Sequence, residues 1–272
     1  MELAAETLSP QPPRMSTAST VPNSMSDDAF LGGKLQILQP EKGYRAGIDA
    51  VFLASTIPVK EGETVFEAGI GAGVASLCVL ARNPLVHVTG IEMSTRYAVL
   101  CEQNAKRNNF GNSVRVVHAD VKDAMRRDLA TIPEHGSFAH AFANPPFFEE
   151  GKVTASPSLL KAQAHAFGPD DLDQWIKLLH SMVTMRGSVT IVHRAETLGK
   201  LLTFMEPRFG DIRVAPLYAR DGHAASRVIV QGIKGSRAPL QLLPGLILHN
   251  DDNSFTADAE AILRDGASWR LR

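Results

Sequence analysis

From Thr64 onward the chain alternates short stretches rich in β-branched and aromatic residues with longer stretches whose apolar side chains recur at helical spacing. That alternation predicts an α/β fold: a doubly wound, mostly parallel sheet with helices on both faces. Strands are expected at 64–67, 86–92, 114–118, 139–143, 188–192, 212–217 and 227–232, and helices at 74–82, 94–108, 169–185 and 195–204. Ser94 is a natural N-cap for the second helix. The third carries Leu172, Ile176, Leu179 and Val183 on one stripe, and Gly187 should stop it. Upstream, 48–57 reads as a short helix and 35–38 as an edge strand.

Residues 1–29 differ in kind, being rich in Ser, Thr and Pro with little periodic apolar content, and such a segment cannot offset the entropy of ordering. A disordered tail is expected there, followed by one domain over 30–272. Within it, 30–60 is a pre-sheet segment, 61–235 the core and 236–272 a C-terminal appendage.

Composition narrows the class only modestly. With 272 residues and 44% hydrophobic content the chain buries a sizeable core, and 28 Lys plus Arg against 29 Asp plus Glu give no general basic footprint for nucleic acid. Cys78 and Cys101 lack metal or disulfide spacing and read as buried thiols. The nine histidines show no ligand pattern, so no metal is expected. The run Asn250-Asp251-Asp252-Asn253 lacks the alternating ligands and central glycine of a calcium loop, and reads as a turn. No apolar run approaches the ~20 residues of a membrane helix, and the N-terminus lacks the order of a secretory signal, so a cytoplasmic protein is expected.

The chemistry concentrates in the turns after the strands. Gly69, Gly71 and Gly73 follow the first strand, with Glu67 just before them. Glycines there permit positive backbone angles and let a ligand approach the main chain. A dinucleotide fingerprint would place its third glycine where Val74 stands, which weakens a nicotinamide oxidoreductase reading. The turn instead resembles the first motif of class I methyltransferases. Glu92, at the end of the second strand, can accept from both hydroxyls of an adenosine ribose. Met93 beside it can line an adenine face, while Asp120 and Val121 can receive the adenine amine and ring unless Asp120 merely caps a helix.

The fourth strand ends in Asn144-Pro145-Pro146-Phe147. A planar amine is a poor nucleophile, so a site that methylates it must hold both N–H groups and align the nitrogen. The Asn144 amide oxygen and the Pro145 carbonyl, fixed in direction by Pro146, are two such acceptors, and Phe147 is a ring for stacking.

These motifs, in this order, resemble the amino-methyltransferases whose fourth motif is Asn/Asp-Pro-Pro-aromatic. Within that group the chain is most similar to the bacterial tRNA(Val) adenine-N6 methyltransferase family. The likeness extends through Gln39-Pro40-Glu41-Lys42-Gly43-Tyr44-Arg45, Asp49-Ala50, Ala225-Ser226-Arg227-Val228-Ile229-Val230, Leu248-His249 and Phe255-Thr256. The resemblance implies a seven-stranded sheet with its last strand antiparallel, S-adenosyl-L-methionine as cofactor, and a tRNA adenine as substrate. It also implies that Tyr44 and Arg45 lie against the methionine end of the cofactor, with Arg45 pairing its carboxylate. Phe147 stands where relatives often have Tyr. Phosphate contacts to RNA would fall to Arg126, Arg127, Lys152, Lys161, His165 and Arg220. A protein glutamine offers an equally planar, two-hydrogen amide, and a small molecule under a closing 148–168 loop is a third acceptor class.

Overall fold

The computed structural model describes residues 24–126, 131–146 and 171–271. The chain enters through a hairpin, β1 (Met25–Phe30) antiparallel to β2 (Leu35–Pro40), with Met25 opposite Pro40 and Phe30 opposite Leu35. This corrects the sequence reading twice. The expected tail does not run to residue 29, because pairing begins at Met25, and 35–38 is not an edge of the main sheet. Asparagine side chains of α3 (Thr95–Arg107) and its C-cap occupy the outer edge of β2. Asn104 binds both main-chain groups of Leu38, at 2.9 and 3.0 Å, and Asn108 binds both of Gln36, each at 2.9 Å. With those groups satisfied, β2 offers no ladder to another strand there.

Helix α1 (Ile48–Ser55) leads to a nine-stranded sheet. At its centre β3 (Thr64–Ala68) pairs in parallel with β4 (His87–Glu92) on one side and β6 (Phe138–Ala143) on the other. Outward on the first side lies β5 (Val114–His118), and on the second β7 (Val183–Arg194), both parallel. Next come β9 (Ala225–Lys234), antiparallel to both its neighbours, and β8 (Phe209–Tyr218). The seven expected strands are all present, with the last in sequence antiparallel. Two short strands of the expected appendage, β10 (Gln241–Leu242) and β11 (Leu246–Ile247), pair in parallel with β8, so this segment extends the sheet.

Helices cover both faces: α2 (Val74–Arg82), α3, α4 (Val121–Ala124), α5 (Asp171–Met182), α6 (Leu198–Met205) and α7 (Ala257–Glu260). Strand alternation splits the core in two. Phe142 faces a cluster with Phe52, Leu53, Leu77 and Ile229, whereas Phe66, Ala141 and Ala143 face Ile176, Leu179 and Met205. Full burial of a side chain such as Phe66 contributes roughly 1.5–3 kcal/mol.

The junction of α5 and β7 is a third correction. The helix ends at Met182 and the strand starts at Val183, five residues before the expected Ser188. The Lys234 ammonium donates to the carbonyls of His180 and Val183, both at 2.8 Å, satisfying the helix end. Gly187 serves packing instead of stopping the helix: a Cβ there would lie 2.8 Å from the Ala139 carbonyl oxygen of β6.

Candidate active site

Strand β3 lies between β4 and β6, where the sheet's connections diverge, and crevices at the carboxyl ends of such strands are where α/β sheets bind ligands. The first wall is the glycine turn between β3 and α2. Gly69, Gly71 and Gly73 have φ of 68°, 57° and 88°. A Cβ on Gly69 would lie 2.6 Å from the Trp175 indole, and one on Gly73 would lie 2.8 Å from Cys101 Sγ. Gly71 differs: its nearest side-chain neighbour would be Tyr44 Cε1 at 3.7 Å, which leaves its backbone open beneath that ring.

Two carboxyls flank this turn. Glu92 Oε2 accepts from Gly71 N–H at 3.0 Å and Oε1 from Ser94 N–H at 2.8 Å. Ser94 thus occupies the N-cap position of α3 but makes no side-chain cap, contrary to expectation. Each Glu92 oxygen keeps a further lone pair for a ligand hydroxyl. Burial raises the Glu92 pKa, against the two backbone bonds that lower it. Glu67, at the end of β3, is buried and accepts the Ser76 hydroxyl.

Along the rim, Met93 is exposed while its carbonyl accepts from His118 Nε2 at 2.9 Å. Asp120 Oδ1 accepts from Asp123 N–H at 2.7 Å, so Asp120 does cap α4, whose first residue is the half-buried Val121. Tyr44 is exposed over the turn and meets Tyr97 edge-on at 6.3 Å. Arg45 is placed differently from expectation. Its guanidinium donates to Asp28 Oδ2 and Ser26 Oγ, each at 2.6 Å, and to the Pro40 carbonyl at 3.1 Å, so it locks the β1–β2 hairpin and is not turned to a cofactor carboxylate.

On the other side of β3, Asn144 is the first residue past β6. It is half-buried, Pro145 is buried and Pro146 exposed, and the Asn144 side-chain amide makes no hydrogen bond to any described residue. The register Ala68↔Ala143 puts Asn144 beside the start of the glycine turn. Phe147, Arg127, Lys152, Lys161 and His165 lie outside the described residues. Arg126 is exposed at the end of α4, and Arg220 donates to Asn253.

Residues 45–170 match the family model described as the methyltransferase small domain. The chain has the class I methyltransferase fold and is an S-adenosylmethionine-dependent enzyme. A Shewanella baltica protein named tRNA1(Val) (adenine(37)-N6)-methyltransferase is 23% identical over 74% of this chain and 82% of its own length. A Flavobacteriaceae bacterium protein of the same name is 29% identical over 43% of this chain, a match spanning 47% of that relative. Among solved structures, a protein from Agrobacterium tumefaciens described as a predicted O-methyltransferase is 24% identical, with a TM-score of 0.68 over 82% of this chain and 98% of its own. A tRNA (m1A58) methyltransferase from Aquifex aeolicus gives 18% identity and a TM-score of 0.50 over 73% and 72%. Both share the fold.

The crevice suits the methyltransferase's cofactor, S-adenosylmethionine. It offers an open backbone at Gly71 and a carboxylate with lone pairs to spare at Glu92. Among the described residues no group of three or more His, Cys, Asp and Glu could hold a metal, and no helix is long and apolar enough to cross a membrane.

Three contributors escaped sequence reasoning. Asn104 is buried and donates to the Ala72 carbonyl at 2.9 Å, tying the glycine turn to β2. Its signal was an amide on the otherwise apolar face with Ala98, Cys101 and Ala105. Trp175 packs on Gly69 but sits on an apolar stripe that reads only as core. Asp49 of α1 pairs with Arg227 of β9 at 2.9 Å across 178 positions, a contact no local pattern announces.

Proposed function

We propose that this methyltransferase transfers a methyl group to the N6 amine of an adenine in tRNA. The observation that carries the reading is Asn144, an uncommitted amide at the end of β6 followed by a buried Pro145. In this reading the Asn144 side-chain oxygen accepts one N–H of the amine and the Pro145 carbonyl the other. Both acceptors also stabilise the positive charge that develops on nitrogen, and they need not reorganise to do so. Phe147 supplies a stacking ring for the base. Glu92 accepts the ribose hydroxyls of the cofactor, Asp120 and Val121 meet its adenine, and Met93 lies over that ring. Gly69, Gly71, Gly73 and Tyr44 bound the amino-acid end. Bound S-adenosylmethionine supplies an electrophilic methyl group.

The adenine assignment draws on the names of the relatives, and a cytoplasmic location belongs to this reading because a tRNA substrate is met there. The test gives the protein and its Asn144→Ala variant labelled S-adenosylmethionine with unmodified tRNA, total protein or a metabolite extract. Asn144-dependent label in tRNA is expected. Label in protein would support the glutamine alternative, label in metabolites a small-molecule acceptor, and either one alone would refute the tRNA assignment.

A further inference from the structure

Both carboxyls at the glycine turn are buried, yet they are solvated by the protein very differently. Glu92 accepts two backbone N–H groups and lies near His118. Glu67, only 3% exposed, is met by Ser76 of α2 alone, whose hydroxyl donates to it and whose backbone N–H also favours the ionised form. The other titratable groups that face it are Cys78 of α2, Cys101 of α3, Tyr44 from the segment before α1, and Glu92 at the end of β4. All are neutral or acidic, and no described Lys, Arg or His pairs with Glu67. A buried carboxylate without a counter-charge costs several kcal/mol, and in practice such a group takes up a proton.

We propose that Glu67 reads positive charge on the cofactor: its carboxyl is protonated in the free protein and releases that proton to solvent when a ligand bearing an ammonium or sulfonium centre fills the crevice. The proposal rests on the S-adenosylmethionine assignment. Burial pushes the Glu67 carboxyl up to about 8, with Glu92 adding to the rise and Ser76 opposing it. At pH 7 a group of that pKa is therefore mostly protonated, and ionisation on binding releases most of a proton per ligand. Because the proton must leave before the cation is paired, affinity rises with pH until the free-state pKa is passed. Between pH 6 and pH 8 the gain is roughly one to two orders of magnitude.

The test is calorimetric and needs no turnover. S-adenosylhomocysteine is titrated into the protein at pH 7 in phosphate and in Tris, whose ionisation enthalpies differ widely. The expected result is a buffer-dependent heat equivalent to nearly one proton released. With 5′-methylthioadenosine, which keeps the nucleoside and thioether but lacks the ammonium, the heats should be independent of buffer. Glu67→Gln should still bind S-adenosylhomocysteine, without proton release and with most of the pH dependence gone. Equal heats in both buffers for the parent protein would overturn the proposal, as would full proton release in Glu67→Gln or with methylthioadenosine. Failure of S-adenosylhomocysteine to bind at any pH would instead contradict the cofactor assignment and the proposal with it. If Glu67→Gln does not fold, the comparison of the two ligands on the parent protein decides alone.

Discussion

Replacing Asn104 with alanine removes three hydrogen bonds from a fully buried position: one accepted from Leu38 N–H and two donated, to the Leu38 and Ala72 carbonyls. Each intramolecular bond contributes a net ~0.5–1.5 kcal/mol, and a buried group left unpaired costs more. A loss of about 3 kcal/mol is therefore expected. Asn108→Ala is the matched control, since Asn108 also makes three side-chain bonds, the same pair to Gln36 and one donated to the Asn104 carbonyl at 2.8 Å, but at a half-exposed site where water can replace it. Its loss should stay below about 1 kcal/mol. Urea denaturation of both variants measures the difference. Because Asn104 also holds Ala72 of the glycine turn, its removal should weaken S-adenosylhomocysteine binding, whereas removal of Asn108 should not. A loss for Asn104→Ala no larger than for Asn108→Ala would refute the view that these amides bolt the hairpin and turn together.

The turn glycines should separate by substitution. Gly69→Ala and Gly73→Ala drive a Cβ against Trp175 and Cys101 and should lower thermal stability markedly, whereas Gly71→Ala, with nothing closer than 3.7 Å, should cost only backbone strain, about 1 kcal/mol, and act mainly on cofactor affinity. Asn144→Ala should leave S-adenosylhomocysteine affinity within a few-fold in calorimetry while turnover falls by roughly two orders of magnitude; unchanged turnover would remove Asn144 from the chemistry. His193 is held neutral, down to about 4, by burial and by Arg227 and Arg194. The unfolded chain therefore binds the extra proton between its ordinary pKa near 6.5 and pH 4, and stability should fall by up to about 3 kcal/mol as pH drops through that window. Denaturation of His193→Gln across the same range should show a flatter profile. A profile parallel to that of the parent would contradict this.

The sheet was legible because its strands carry their own pattern. β3 to β6 alternate or cluster β-branched and aromatic residues, and turn glycines and prolines punctuate them. The hairpin strand β1 was not, since its Ser26, Asp27 and Asp28 have poor strand propensity. Its order comes from β2 and from the ion pairs Arg45–Asp28 and Arg107–Asp27, the second reaching across 80 positions. Those same contacts explain why Arg45 sits otherwise than the motif resemblance implied: Asp28 of the hairpin claims its guanidinium. The early start of β7 was hidden for a related reason. Gly187 reads locally as a helix stop, whereas the structure needs it for the close approach of β6. In the site, the glycines, Glu92 and Asn144 declare themselves through residue type and order. The groups that brace them, Asn104, Trp175 and Ser76, do so only through contacts.

The central claim is transfer to an adenine amine in tRNA, and it is tested most directly by the identity of the methylated product. Unmodified tRNA incubated with the protein and S-adenosylmethionine bearing an isotopically labelled methyl group would be digested to nucleosides and read by mass spectrometry. The account predicts labelled N6-methyladenosine, absent with Asn144→Ala. Label on any other nucleoside, or none on tRNA while a protein or metabolite pool accepts it, would contradict the account.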